Sequence, residues 1–178
     1  MIEVADPIQS TSNIINQQDI NSPNIVRQWV SRVNSFSSQY NEDTWSANNV
    51  IGPPLVFPNY GDLQNSWAQT SDFHQNHFIE LEFPEEVYVV KINIYETYHA
   101  GGVVRIKLKD PLTDNWKIVW ESAVGPINIE SSRIFSPDLK KTLFKTNRVR
   151  LDVDCTAANS FCEIDAVELI GKKFQVFD

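Results

Sequence analysis

The run HFIELEFPEEVYVVKINI, residues 77–94, decides the fold. Ile79, Leu81 and Phe83 alternate with Glu80 and Glu82, and after Pro84-Glu85-Glu86 the alternation resumes with Val90, Ile92 and Ile94 against Lys91 and Asn93. Successive side chains of a strand point to opposite faces, so this period of two specifies strands with one apolar face. It predicts two strands joined by a turn at Pro84-Glu85-Glu86.

The same alternation continues downstream. Val104, Ile106 and Leu108 alternate with Arg105, Lys107 and Lys109, and Trp116, Ile118 and Trp120 stand against Lys117 and Glu121. Asp110-Pro111 and Thr113-Asp114-Asn115 supply turn residues between them. Val149, Leu151 and Val153 oppose Arg148, Arg150, Asp152 and Asp154, and residues 163–170 form a last strand, apolar on both faces in places, which predicts a central position.

Upstream the signals differ. Ser22-Pro23-Asn24 reads as a helix start, and Ile25, Val26, Trp29, Val30, Val33 and Phe36 follow at helical spacing, predicting one short helix packed on the sheet. Residues 1–21 read as an irregular arm and residues 22–178 as a single domain, since no repeat or linker divides them. Residues 41–73 are dense in Asn, Gly, Pro and Asp yet carry Trp45, Phe57, Tyr60 and Trp67, rings that a loop either tucks beneath itself or displays as contact anchors. Strands and turns with one early helix predict an all-β, antiparallel sandwich with one short amino-terminal helix.

Composition narrows the function. With 15 Lys+Arg against 23 Asp+Glu in 178 residues, the net charge of −8 argues against an electrostatic nucleic-acid binder. The asymmetry is internal: two basic and eleven acidic residues precede Lys91, thirteen basic and twelve acidic follow from it, so the first half favours basic partners unless the strands interleave the charges. No run of about 18 apolar residues predicts a membrane-spanning helix, and the amino terminus has neither a basic n-region nor an Arg-rich presequence. Only Cys155 and Cys162 are present, which favours reduced thiols and an intracellular, cytoplasmic location, although a hairpin would bring the two within reach of a bridge.

Nothing in the chain spells catalysis. The GxSxG, HExxH, Walker and GxGxxG patterns are absent. His99 has only Glu96 near it as an acid partner, and reads as a turn residue beside Gly101 and Gly102. His74 and His77 lack two further zinc ligands, so no metal and no cofactor is expected. The carboxylate pairs Glu80 with Glu82 and Asp152 with Asp154 read as a solvated sheet face, and the bases Arg105, Lys107, Lys109, Arg148 and Arg150 as cross-strand partners of Asp152 and Glu80.

The stretch YETYHAGGVVRI, residues 95–106, resembles a strand-turn-strand block of discoidin-like, galactose-binding-like domains. Within them it is similar to the amino-terminal domain of mitochondrial F-box and leucine-rich-repeat ubiquitin-ligase receptors. RVRLDV at 148–153, EIDAVELIG at 163–171 and VNSFSSQY at 33–40 resemble further blocks of that pattern, and related blocks occur in the discoidin-like domain of a secreted metalloprotease. The resemblance implies a jelly-roll sandwich whose loops at one end bind partners or ligands. Trp45, Phe57, Tyr60 and Trp67 would be the aromatic tips, Asn59 and Asp62 nearby oxygen ligands, and His99 a neighbour in the turn. A calcium loop normally gathers several carboxylates, and this one offers a single Asp. No F-box or leucine-rich repeat lies within the chain, so an isolated domain or a stand-alone relative is expected. The expected function is non-catalytic protein recognition, as substrate or adaptor docking in an F-box-type receptor, with a mitochondrial association implied by resemblance only. Carbohydrate or phospholipid binding is the alternative.

Overall fold

A computed structural model of the chain describes residues 22–72 and 76–175; the expected arm at 1–21 and His74 lie outside the described residues. Nine strands are found there, and all their pairings are antiparallel. One sheet holds β1 (Ile25–Trp29), β3 (Trp67–Ala68), β7 (Arg133–Phe135) and β9 (Glu163–Lys172); the other holds β2 (Arg32–Phe36), β5 (Val103–Asp110), β6 (Asn115–Glu121) and β8 (Thr146–Val153). The long β4 (His77–Tyr98) belongs to both, pairing with β2 and β8 in its first half and with β7 and β9 in its second.

The predicted turn at Pro84-Glu85-Glu86 is therefore a sheet-to-sheet crossing within one strand. Ladder register breaks between Glu82 and Val87, where Pro84 has no N–H to donate, and strands that change sheets form the corners of such packings. β4 starts opposite the end of β8, His77 facing Val153, and ends opposite the start of β9, Tyr98 facing Glu163. Both of its ends thus lie at one end of the sandwich, where the loops gather.

The predicted early helix is absent. Residues 25–36 form β1, which pairs with β9, and β2, which pairs with β4. The apolar spacing fits a helix, but the β-branched Ile25, Val26, Val30 and Val33 suit strands, and the unpaired edges of β9 and β4 offer a ladder that a helix cannot use. The helix that does occur among the described residues is one 3-10 turn at Ala47–Val50, where the Ser46 hydroxyl accepts from the Asn48 N–H at 3.2 Å. A second local departure lies in β6. A register shift opposite Ile106 and Lys107 turns Val119 into the core and leaves Ile118 exposed, reversing the expected parity there.

Ile79, Leu81, Phe83, Ile92, Ile94, Ile106, Leu108, Leu151 and Leu169 fill the space between the sheets. β9 lies between β1 and β4 and is buried from Glu163 to Gly171, the central position its sequence predicts. The basic strip pairs as expected: Asp152 receives Lys107 at 2.5 Å and Arg150 at 2.8 Å, and Arg150 also reaches Glu80 at 3.0 Å.

Cys155 and Cys162 are bridged, contrary to the expectation of reduced thiols. The bridge ties the chain just after β8 to the residue before β9, joining the two sheets at the loop end. Gly102 makes room for it, since a Cβ at this position would lie 2.6 Å from the Cys162 Sγ. Low cysteine usage informs on redox compartment only statistically, whereas the packing of the two sheets at this end brings these two Cα atoms to 5.9 Å, a bridgeable distance. Replacing both cysteines by serine is expected to cost about 2.5 kcal/mol of unfolding free energy from the short loop it opens, measurable by urea denaturation against the oxidised wild type.

Candidate functional site

Three segments meet at the loop end: residues 37–66 between β2 and β3, 99–102 between β4 and β5, and 154–162 between β8 and β9. What holds the first of them is a row of buried acids on β9. The Asp165 carboxylate accepts from three consecutive N–H groups, Leu55 at 3.1 Å, Val56 at 3.0 Å and Phe57 at 2.8 Å. A carboxylate capped in this way replaces its lost hydration with charge-assisted bonds, and the loop backbone is fixed in return. Two turns of chain later, Gly61 N–H donates to the Thr97 carbonyl at 3.1 Å.

Glu163, only 1% exposed, is the second acid of the row. It accepts from the Trp45 indole N–H at 3.1 Å and the Leu63 N–H at 3.4 Å. Burial pushes its carboxyl up to about 9, and the hydrogen bond and charge of Asp62 add to the rise while the Trp45 and Leu63 donors oppose it. Glu163 therefore keeps its proton at neutral pH. Trp45, Asp62, Tyr40, Ala68 and Phe161 line a recess of about 90 Å³ beside this pair. Its rings brace each other edge-on, with Tyr40 5.6 Å from Trp45 and 5.1 Å from Phe161 between centroids.

A second aromatic group sits on the neighbouring loop. Tyr60 packs on Tyr98 at 5.6 Å, and Tyr98 on His99 at 4.1 Å. The His99 Nδ1 lies 2.8 Å from the Asn128 side-chain oxygen, while Glu96 is buried beneath, accepting from Gly101 N–H at 3.0 Å and from Arg133 Nε at 2.5 Å. Burial raises the Glu96 carboxyl, and Arg133 and the Gly101 N–H oppose the rise. Glu96 thus anchors the turn, which places Gly101 at a φ of +107°, and it is not paired with His99 as an acid–base couple would require. His77 is likewise occupied structurally, its Nδ1 3.0 Å from the Ser38 hydroxyl and its Nε2 2.7 Å from the Asp72 carbonyl.

The predicted site residues separate accordingly. Trp45 and Asp62 share the recess; Tyr60 and His99 share the second group; Asn59 is exposed on the connecting loop, its N–H bonded to Val56 O at 3.0 Å. Phe57 is half-buried on Tyr95 at 5.3 Å. Trp67 has no exposed surface and donates its indole N–H to the Ser38 carbonyl at 3.0 Å, so it is a core residue and presents nothing to a partner. Tyr40, Phe161 and Tyr98 belong to the site without a sequence signal that singles them out. The acids in EIDAVELIG, set in an apolar central strand, are the signal for Glu163 and Asp165.

Two outcomes follow from the acid row. Asp165→Ala leaves three N–H groups without their acceptor and is expected to cost about 3 kcal/mol in chemical denaturation. Glu163 keeps its proton in the folded protein where an unfolded Glu loses it, so unfolding free energy is expected to fall as pH rises from the ordinary Glu range toward about 9. Glu163→Gln is expected to flatten that slope in melts run across the same window.

The sequence model of the Pappalysin-1 SD scarf domain, C-terminal, matches residues 18–176. F-box/LRR-repeat protein 4 of Bos taurus is 29% identical over 179 residues, an alignment that takes in 83% of this chain and 29% of that protein, so the chain spans well under half of the relative's length. Among solved structures, the family 32 carbohydrate-binding module of Streptococcus pneumoniae EndoD is similar at a TM-score of 0.56 and 14% identity, covering 79% of this chain and 95% of the module. Reduced XRCC1, bound to the DNA pol beta catalytic domain, is similar at 0.57 and 12% identity, covering 81% of this chain and 97% of that one. These likenesses show the discoidin-like sandwich, and the F-box relative agrees with the resemblance seen in the sequence. No helix among the described residues is long and apolar enough to cross a membrane. With its pattern matched across nearly the whole length and its strands laid out as a discoidin-like sandwich, this chain belongs to the family of the Pappalysin-1 SD scarf domain, C-terminal.

Proposed function

We propose that the domain is a non-catalytic recognition module that docks a protein partner through its loop end. The observation that carries this reading is the set of exposed apolar side chains carried by the anchored loops there: Tyr40 at 51%, Leu55 at 72%, Tyr60 at 38%, Leu63 at 38% and Ile127 at 43% exposure. Exposed apolar groups clustered on one surface favour association, and tyrosines supply large contact area at little entropic cost. The backbone beneath them is held by Asp165, Glu163 and Glu96, so little ordering free energy is spent on binding.

Similarity to F-box/LRR-repeat protein 4 supports the finer form of the reading, substrate or adaptor docking in an F-box-type receptor. XRCC1 bound to the DNA pol beta catalytic domain supports protein docking on this fold. The EndoD module supports the alternative, a carbohydrate ligand. An intracellular location rests on the F-box relative; the Cys155–Cys162 bridge weighs against a reducing compartment, where disulfides are rare.

The test is capture from lysate on the immobilised chain, wild type beside a Tyr60→Ala/Leu63→Ala variant with an unchanged melting curve. A specific protein held by the wild type and reduced at least about tenfold on the variant is the expected result. Equal retention on both overturns loop-end docking, and saturable binding to glycans or liposomes without protein capture transfers the site to the alternative.

A further inference from the structure

The recess beside Asp62 has a chemistry more specific than an apolar contact. We propose that it is a pocket for the ammonium group of a lysine side chain presented by the docked partner; this deepens the loop-end reading and rests on it.

Three observations converge. The walls are the aromatic rings of Tyr40, Trp45 and Phe161, braced against one another at 5.6 and 5.1 Å so that they form a preformed frame. Aromatic faces attract a cation through their quadrupole, most strongly where water is partly excluded. At the rim stands the exposed carboxyl of Asp62, linked to Glu163, which is itself buried and bonded to the Trp45 indole. An ammonium group entering between rings and carboxyl meets both kinds of attraction at once.

Size chooses among cations. A recess of about 90 Å³ has room for an ammonium with its last methylenes. The guanidinium of arginine is broader and planar, whereas the lysine ammonium is a compact point charge on an apolar stem.

Among the described residues, no lysine or arginine lines this place. Residues 33–90 and 151–171, which contain the described residues that line the recess, include no lysine or arginine. Among the described residues, the ion pairs formed by lysine and arginine involve neither Asp62 nor Glu163. Glu42 and Asp43, both exposed on the loop that carries Trp45, add negative potential around the mouth.

The probe is Nα-acetyl-lysine-N-methylamide, titrated into the full chain while the indole N–H resonance of Trp45 is followed by NMR, with the norleucine analogue as the uncharged control. A saturable shift of millimolar affinity with the lysine compound, no shift with norleucine, and at least about tenfold weakening in Asp62→Asn are expected. Asp62 is exposed, so its variant is checked by an unchanged melting curve; Tyr40→Leu, which removes one wall, is expected to weaken binding as well. A flat titration, an equal response to norleucine, or unchanged affinity in Asp62→Asn overturns the pocket. Those results leave loop-end docking standing, since the Tyr60 and Leu63 variant tests it separately.

Discussion

Three acids buried along a central strand are the constraint on which the rest of this structure depends. Glu163, Asp165 and Glu168 all lie on β9, between β1 and β4, with almost no contact with water. Each must therefore find partners within the fold, since an unpaired carboxyl in such a place costs several kcal/mol. Glu168 takes Arg27 of β1 at 2.8 Å and Asn93 of β4 at 2.7 Å, joining the strand to both neighbours. Asp165 takes the backbone of residues 55–57, and Glu163 takes Trp45, Leu63 and Asp62. The need to satisfy the core's own charges shapes the loop end.

That arrangement explains how a long irregular segment becomes a defined surface. Residues 37–66 contain only one short 3-10 turn, and a loop of that length without other support would spread over many conformations. Here its side chains and amides are anchored by β9 and by the end of β4, while the disulfide closes the facing segment. The exposed rings stand on a scaffold ordered before any partner arrives. Two histidines serve the same end: His77 and His99 are engaged in hydrogen bonds that fasten loops.

Alternation along β4, β5 and β8 was legible because a half-buried strand writes its two faces directly into the sequence, and β9 betrayed its centrality by apolar residues on both sides. Bulges were not legible: Val119 replaces Ile118 in the core because one extra residue in the ladder reverses parity, and no local pattern marks where this occurs. Nor was the fate of residues 25–36. Their spacing satisfies a helix, and only the open edges of β9 and β4, formed by residues more than forty positions away, select strands. The aromatic residues divide along the same line. Composition identified Trp45, Tyr60 and Trp67 as noteworthy, yet whether a ring is core or contact depends on what packs over it.

The sequence by itself therefore determined the class of fold, the central strand, the ion-paired sheet face and the absence of familiar catalytic motifs, because these follow from periodicity, charge and residue type over short spans. Tertiary structure alone decided that β4 serves two sheets, that Cys155 meets Cys162, that Trp67 is buried while Trp45 borders a recess, and that Asp62 stands beside Glu163. Those facts join residues separated by as many as a hundred positions. Their proximity is set by register and by how the sheets pack, which no local pattern encodes.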